Sequence, residues 1–150
     1  MKLVNPTKYF ALLFFGIALT CFHLTVPAQT TFNLLTGQTD SDSHWGSGWL
    51  DLDVPTDFKK GDILRLAIGG TAKKIKIRLL PKGKSSDSTV GMINGSITVP
   101  KNRVVELVIQ ANRKKIVQIS VHGGQNPWNK YPLGGDNGPA TLDSVALSGN

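Results

Sequence analysis

The stretch DILRLAIGGTAKKIKIRLL, Asp62 to Leu80, decides the fold class. Leu64, Leu66 and Ile68 recur at every second position, and after Gly69-Gly70 so do Ile75, Ile77 and Leu79, set against Lys74, Lys76 and Arg78. A period of two collects one kind of side chain on one face of an extended chain, whereas a helix would scatter the three bases around its circumference. Two half-buried strands are therefore expected over 62–68 and 72–80. Gly69-Gly70 reads as a hairpin turn between them.

The same period continues on both sides. Upstream, Phe32 and Leu34 alternate in a short leading strand, and Leu50, Leu52 and Val54 alternate with Asp51 and Asp53. Between these, TGQTDSDSHWGSG (36–48) is small and polar and reads as a loop, and 55–61 reads as a turn. Trp49, at the start of a strand, is expected in the core. Downstream, Val90–Ile93 and Ile97–Val99 flank Asn94-Gly95, a strong hairpin cue. Val104–Gln110 is aliphatic on both faces and is expected as an interior strand. Ile116–His122 places Val117, Ile119 and Val121 on one face and points His122 to the other. Residues 140–147 supply a closing strand.

Eight or nine short strands separated by Gly- and Pro-bearing turns, with no helical period after the N-terminal segment, define an all-β chain. A two-sheet antiparallel β-sandwich of jelly-roll type is the expected architecture, ahead of an immunoglobulin-like sandwich. Residues 49–147 form the expected core of a single domain, 29–150, with 29–48 as a flexible lead-in.

Residues 1–28 stand apart. Lys2 and Lys8 precede the apolar run Tyr9–Leu19, and Val26-Pro27-Ala28 places small residues at the −3 and −1 positions of a cleavage site. That is the three-part pattern of a secretory signal peptide, and its apolar run is shorter than the ~20 residues that span a bilayer. Export to the periplasm, cell envelope or exterior is expected. Cleavage after Ala28 would remove Cys21 and leave a chain without thiols. Cys21 itself makes a poor lipidation signal, since Ala18 and Thr20 occupy its −3 and −1 positions. Removing Lys2 and Lys8 takes the net charge from +7 to +5. Nine bases and one acid, Asp62, lie between Lys59 and Lys84, while Asp40, Asp42, Asp51, Asp53 and Asp57 precede them. A basic face could meet nucleic acid or an acidic glycan, but a solvated lysine-rich strand face accounts for the charge without either partner.

Three segments carry a family resemblance. KGDILRL (60–66) is like an early core strand entered through Lys-Gly-Asp, VQISVH (117–122) like a later strand that opens into a binding loop, and ATLDSVAL (140–147) like a closing strand with a Leu-Asp pair. Together they resemble the galactose-binding-like jelly-roll domains that occur as carbohydrate-binding modules, over most of residues 45–147. The resemblance implies sugar binding in loops at the sandwich edge and a structural calcium, with Asp143 in the position of a last-strand ligand and Asp40 and Asp42 as partners by location.

The residues themselves point the same way. The strand 116–122 breaks at Gly123-Gly124 into a loop holding Asn126, Trp128, Asn129, Tyr131, Asp136 and Asn137. Aromatic rings stack on the apolar faces of sugars while amides and imidazoles exchange hydrogen bonds with hydroxyls. Trp128, Tyr131, His122, Asn126, Asn137 and Trp45 are the candidate ligand contacts; Trp128 could equally plug the end of the sandwich. Asp40-Ser41-Asp42-Ser43 has the alternating oxygens of a calcium-loop fragment but lacks the glycine and terminal glutamate of an EF-hand.

No metalloenzyme spacing, phosphate loop or nucleophile elbow is present, and the only paired carboxylates, Asp51 and Asp53, share an open strand face. The expected function is non-catalytic glycan or cell-surface polysaccharide recognition. A structural or protein-binding role through a sheet edge or the Lys74/Lys76/Arg78 face is the alternative. An enzyme would require His122 joined to a buried acid beside a cavity.

Overall fold

The computed structural model describes residues 30–85, 90–124 and 138–148. Residues 1–28, expected as a signal peptide, and Asn126, Trp128, Tyr131 and Asn137 lie outside the described residues. Nine strands run β1 (Phe32–Leu34), β2 (Gly37–Asp42), β3 (Ser47–Phe58), β4 (Ile63–Gly70), β5 (Lys74–Pro81), β6 (Met92–Thr98), β7 (Val104–Val108), β8 (Arg113–His122) and β9 (Ala140–Ser148). They form two antiparallel sheets, a four-stranded one ordered β1-β9-β4-β7 and a five-stranded one ordered β2-β3-β8-β5-β6. The fold is an all-β sandwich, with no helix among the described residues.

The core lies between the sheets and is built by the alternation that the sequence announces. Leu64, Leu66 and Ile68 of β4 with Leu142, Val145 and Leu147 of β9 face Ile75, Ile77 and Leu79 of β5 with Ile119 and Val121 of β8. Each such aliphatic side chain, removed from water, contributes about 1.5–3 kcal/mol before the entropy of ordering is subtracted. Phe58, only 1% exposed, closes the core at the end of β3.

The expected strand limits fail at five places, each for a local reason. Residues 37–42 are strand β2, not loop: it lies at a sheet edge with almost every side chain in water, so only its backbone pairing with β3 marks it, and no hydrophobic period is needed. β3 runs on through Pro55 to Phe58. β2 pairs with β3 no further than Leu52, so the missing N–H of Pro55 falls where no neighbour on that side requires it. Asn94-Gly95 lies within β6, which stays paired with β5 on both sides. Ile77 pairs with Ile93 and Ile75 with Ile97, so a bulge, not a hairpin, absorbs the extra residues. β7 is an edge strand; Val108 of its aliphatic second face is 48% exposed.

The fifth is Gly69-Gly70. β4 and β5 belong to different sheets, so the two glycines carry the chain across the sandwich. Gly70 has φ +73°, and a Cβ there would meet the Pro139 carbonyl oxygen, so the crossing suits glycine alone. Arg103 secures it from the side. Its guanidinium donates to the carbonyl oxygens of Ile68 (2.7 Å), Gly69 (2.8 Å) and Ala72 (3.4 Å), and the Ile68 N–H donates to the Arg103 carbonyl at 2.9 Å. Arg103 itself holds φ 56°, unusual for a residue with a Cβ. Arg103→Ala is expected to lower stability by about 2 kcal/mol. Arg103→Gly should recover part of that by relieving the backbone, because the left-handed conformation disfavours a Cβ by roughly 1 kcal/mol. Urea denaturation of both variants reads the difference.

Two further bulges re-aim side chains. On β8, Gln118 pairs with Leu80 and Ile116 with Pro81, which leaves Val117 as the extra residue. Ile116 is thereby fully buried where Val117 was expected, and Val117 is only half-buried. On β9, Ser144 pairs with Ala67 and Leu142 with Ile68, so Asp143 is the extra residue and lies exposed.

Candidate functional site

The outward face of the five-stranded sheet carries an unusual concentration of buried polar groups. Cross-strand register places Ser47, His122 and Lys76 in one row, Asp40, Trp49, Ser120, Arg78 and Met92 in the next, and Asp51, Gln118 and Leu80 in a third. Directly opposed residues share a face, so all of these point away from the core. Even so, Ser120 is fully buried, and Arg78 and His122 are each 6% exposed.

These side chains form a continuous chain of hydrogen bonds. Ser120 Oγ lies 3.1 Å from His122 Nε2 and accepts from Arg78 Nε–H at 3.0 Å. The second arm of the Arg78 guanidinium donates to Gln118 Oε1 at 2.8 Å, and Gln118 Nε2 donates to Asp51 Oδ1 at 2.8 Å. The serine oxygen already receives the Arg78 proton, so its own hydroxyl hydrogen can serve the His122 Nε2 lone pair. Burial, and secondarily the Arg78 charge, pull the His122 pKa down to about 4, so the imidazole is neutral at pH 7. A basic group this weak is mismatched to proton abstraction near neutrality, and the fully buried Ser120 is not presented to a substrate.

The arrangement is a fixed underlayer beneath an accessible surface. Arg78, Ser120 and His122 lie below; half-buried Gln118 and Trp49 and exposed Asp51 reach solvent. Because Arg78 clamps Gln118 and Gln118 clamps Asp51, the amide and the carboxylate are held in one orientation before any ligand arrives. Such preorganisation reduces the entropy lost on binding.

His122 thus takes the outward direction expected of it, at the end of β8 where Gly123-Gly124 begins the loop. Trp49 does not join the core: it stands opposite Ser120 on the outer face, while its neighbour Leu50 is buried. Alternation explains it: Leu50 keeps the inward face expected of it, so Trp49 shares the opposite face with Asp51. A Cβ on Gly48 would lie 2.7 Å from the Leu142 nitrogen, so the start of β3 presses its backbone against β9. The basic face expected at Lys74/Lys76/Arg78 is likewise corrected, since Lys74 is exposed, Lys76 half-buried and Arg78 buried within the polar chain.

Trp45 sits half-buried in the turn between β2 and β3 and meets His44 edge-on, with ring centroids 5.4 Å apart. Asp42 organises that turn, its Oδ1 accepting from the His44 N–H (2.9 Å) and the Trp45 N–H (3.3 Å). Asp40 accepts from the Ser41 N–H at 2.7 Å. Asp143, the third expected calcium ligand, lies on the other sheet, where it accepts from the Thr141 hydroxyl at 3.1 Å and stands over Gly69. Asp40 and Asp42 are therefore not gathered with Asp143, and among the described residues no three His, Cys, Asp or Glu side chains converge on a metal position.

The sequence does not single out Gln118 or Ser120, and it marks Arg78 only as part of a basic face and Asp51 only as part of an open carboxylate pair. Their signal was a cross-strand one: Asp51, Gln118 and Arg78 come together only when β3, β8 and β5 are placed side by side in register. Comparison with family models, characterised proteins and solved structures finds no match to this chain.

Proposed function

We propose that this is an exported, non-catalytic glycan-binding domain of jelly-roll type, with the outer face of the five-stranded sheet as its recognition surface. The jelly-roll reading is supported by the strand order. β1-β9-β4-β7 and β3-β8-β5-β6 are the two four-stranded sheets that a pair of Greek keys produces, with β2 added at one edge. The export reading rests on the N-terminal segment of the sequence.

The observation that carries the glycan reading is that Trp49 shares the outer face with the preordered Gln118–Asp51 pair, one cross-strand row away. An aromatic ring beside a fixed amide and carboxylate offers stacking for a sugar's C–H face and directed hydrogen bonds for its hydroxyls. Trp128, Tyr131, Asn126 and Asn137, in the sequence that follows β8, keep in this reading the ligand-contact role expected from their chemistry.

Affinity electrophoresis through gels containing soluble neutral polysaccharides tests the proposal. Wild type should be retarded by at least one of them, and Trp49→Ala and Gln118→Ala should each weaken binding about tenfold or more. Trp128→Ala gives the contribution of the loop. Equal retardation of wild type and Trp49→Ala on every gel would remove Trp49 from the site.

A second reading, a structural domain that pairs through a sheet edge, is favoured only by β7. That strand ends the four-stranded sheet with Val108 exposed. It predicts a protein partner lost on Val108→Lys and indifferent to Trp49→Ala.

A further inference from the structure

The end of the sandwich remote from His122 and Gly123 gathers bases from three separate parts of the chain. Lys59 and Lys60 follow β3, Lys82 and Lys84 follow β5, and Arg113, Lys114 and Lys115 begin β8. Backbone links draw these turns together. The Lys82 N–H donates to the Lys115 carbonyl at 2.7 Å, the Lys60 N–H to Asn112 Oδ1 at 2.8 Å, and the Gly61 N–H to the Ile109 carbonyl at 2.9 Å. Lys115 holds φ 52° with its N–H given to Asp57 Oδ1 at 2.8 Å, so a non-glycine backbone is kept in a rare conformation within the cluster.

The charge account is lopsided. Among the described residues, seven bases and only two acids, Asp57 and Asp62, belong to this end. The other described residues carry seven bases and six acids, so the excess of positive charge lies at this end. Six of the seven bases are exposed and Arg113 is half-buried, while Asp62 is buried with Oδ2 accepting from the Lys59 N–H at 2.7 Å. Among the described residues the only salt bridge is Arg65–Glu106, on the four-stranded sheet, so none of the seven is neutralised by a direct ion pair. Like charges this close repel within a screening length of about 10 Å at 0.1 M salt, and a polyanion relieves that repulsion by displacing counterions.

We propose that this end is a second binding site, for an acidic polysaccharide bearing carboxylate or sulfate groups. Six of the seven bases are lysines, compact charges that suit spaced anionic groups better than the bidentate base contacts arginine makes. Phe58, the aromatic residue that ends β3 here, is buried, so the described surface offers no ring on which a nucleic-acid base could stack. The site is independent of Trp49, and its failure would leave the neutral-glycan reading untouched.

The test is titration of the full exported chain with dextran sulfate, polygalacturonate, neutral dextran and duplex DNA at 50 and 200 mM salt. Dextran sulfate and polygalacturonate should bind, and neutral dextran should show no binding that depends on the lysines. The triple variant Lys60→Gln, Lys84→Gln, Lys114→Gln should weaken polyanion binding roughly tenfold or more at 50 mM salt and flatten the slope of log affinity against log salt by up to about one per lysine. Lys73→Gln, Lys74→Gln, Lys101→Gln removes the same charge from the other end and should change binding less than about twofold. Equal losses in the two triple variants, no binding of either acidic polysaccharide, or tighter binding of DNA than of both would overturn the proposal. Trp49→Ala should bind polyanions as wild type does, which separates the two sites.

Discussion

Arg78→Ala is expected to destabilise the fold by about 3–5 kcal/mol, the range found when one member of a buried charged network is removed. Arg78 is 6% exposed and donates to both Ser120 and Gln118. Truncation leaves the fully buried Ser120 oxygen with one fewer donor and frees Gln118 to rotate away from Asp51. Removing one partner while keeping the other leaves a desolvated polar atom, whereas removing both and refilling the space is milder. Arg78→Met with Ser120→Ala should therefore be less destabilising than Arg78→Ala alone. Denaturant titrations of the three proteins measure this. A loss below about 1 kcal/mol for Arg78→Ala would mean that the network holds nothing together.

Acid should unfold the protein through the same network. The His122 pKa is lowered from 6.5 to about 4 in the fold, by burial first and by Arg78 second. Between those pH values the unfolded chain binds a proton that the folded chain refuses, so stability falls as pH falls, by up to about 1.4 kcal/mol per pH unit. The contribution is fully present above pH 6.5 and lost by pH 4, about 3 kcal/mol in all. His122→Gln keeps a polar group but cannot take up the proton. Its stability should follow a flatter course than wild type between pH 6.5 and 4, and parallel curves for the two proteins would contradict the assignment. Arg78→Met removes the charge and should raise the His122 pKa toward its ordinary value, which an NMR titration of the imidazole reads directly.

The sequence made the sandwich legible because its core strands bury one face each. Leu64, Leu66 and Ile68, or Ile75, Ile77 and Leu79, could be read as strands without knowing their neighbours. What escaped was whatever depends on neighbours. β2 is polar on both faces and is a strand only because β3 offers it a ladder. Asn94-Gly95 makes good hairpins, but here its flanking residues pair with the same strand, which no local cue reveals. Bulges at Val117 and Asp143 shift the alternation by one residue, so Ile116 enters the core and Asp143 stands out.

The candidate site divides in the same way. His122 was legible from its parity with Val121. Arg78 looked like one of three surface bases, since alternation gives the face but not the burial. Only the neighbouring β8, with Ser120 and Gln118 in register, shows that this part of the outer face is built to hold a guanidinium. Trp49 is expected inward as the start of a strand, yet the alternation that buries Leu50 and sets Gly48 against β9 points it outward.

Amide chemical-shift mapping with neutral oligosaccharides of glucose, galactose, mannose and xylose tests the central claim most directly. At least one should perturb Trp49–Asp51 and Gln118–Ser120 together, with the Trp49 indole N–H among the largest shifts, and leave β1, β4, β7 and the outward residues of β9 unmoved. Shifts confined to the four-stranded sheet, or none with any of the sugars, would contradict a glycan-recognition surface on the five-stranded one.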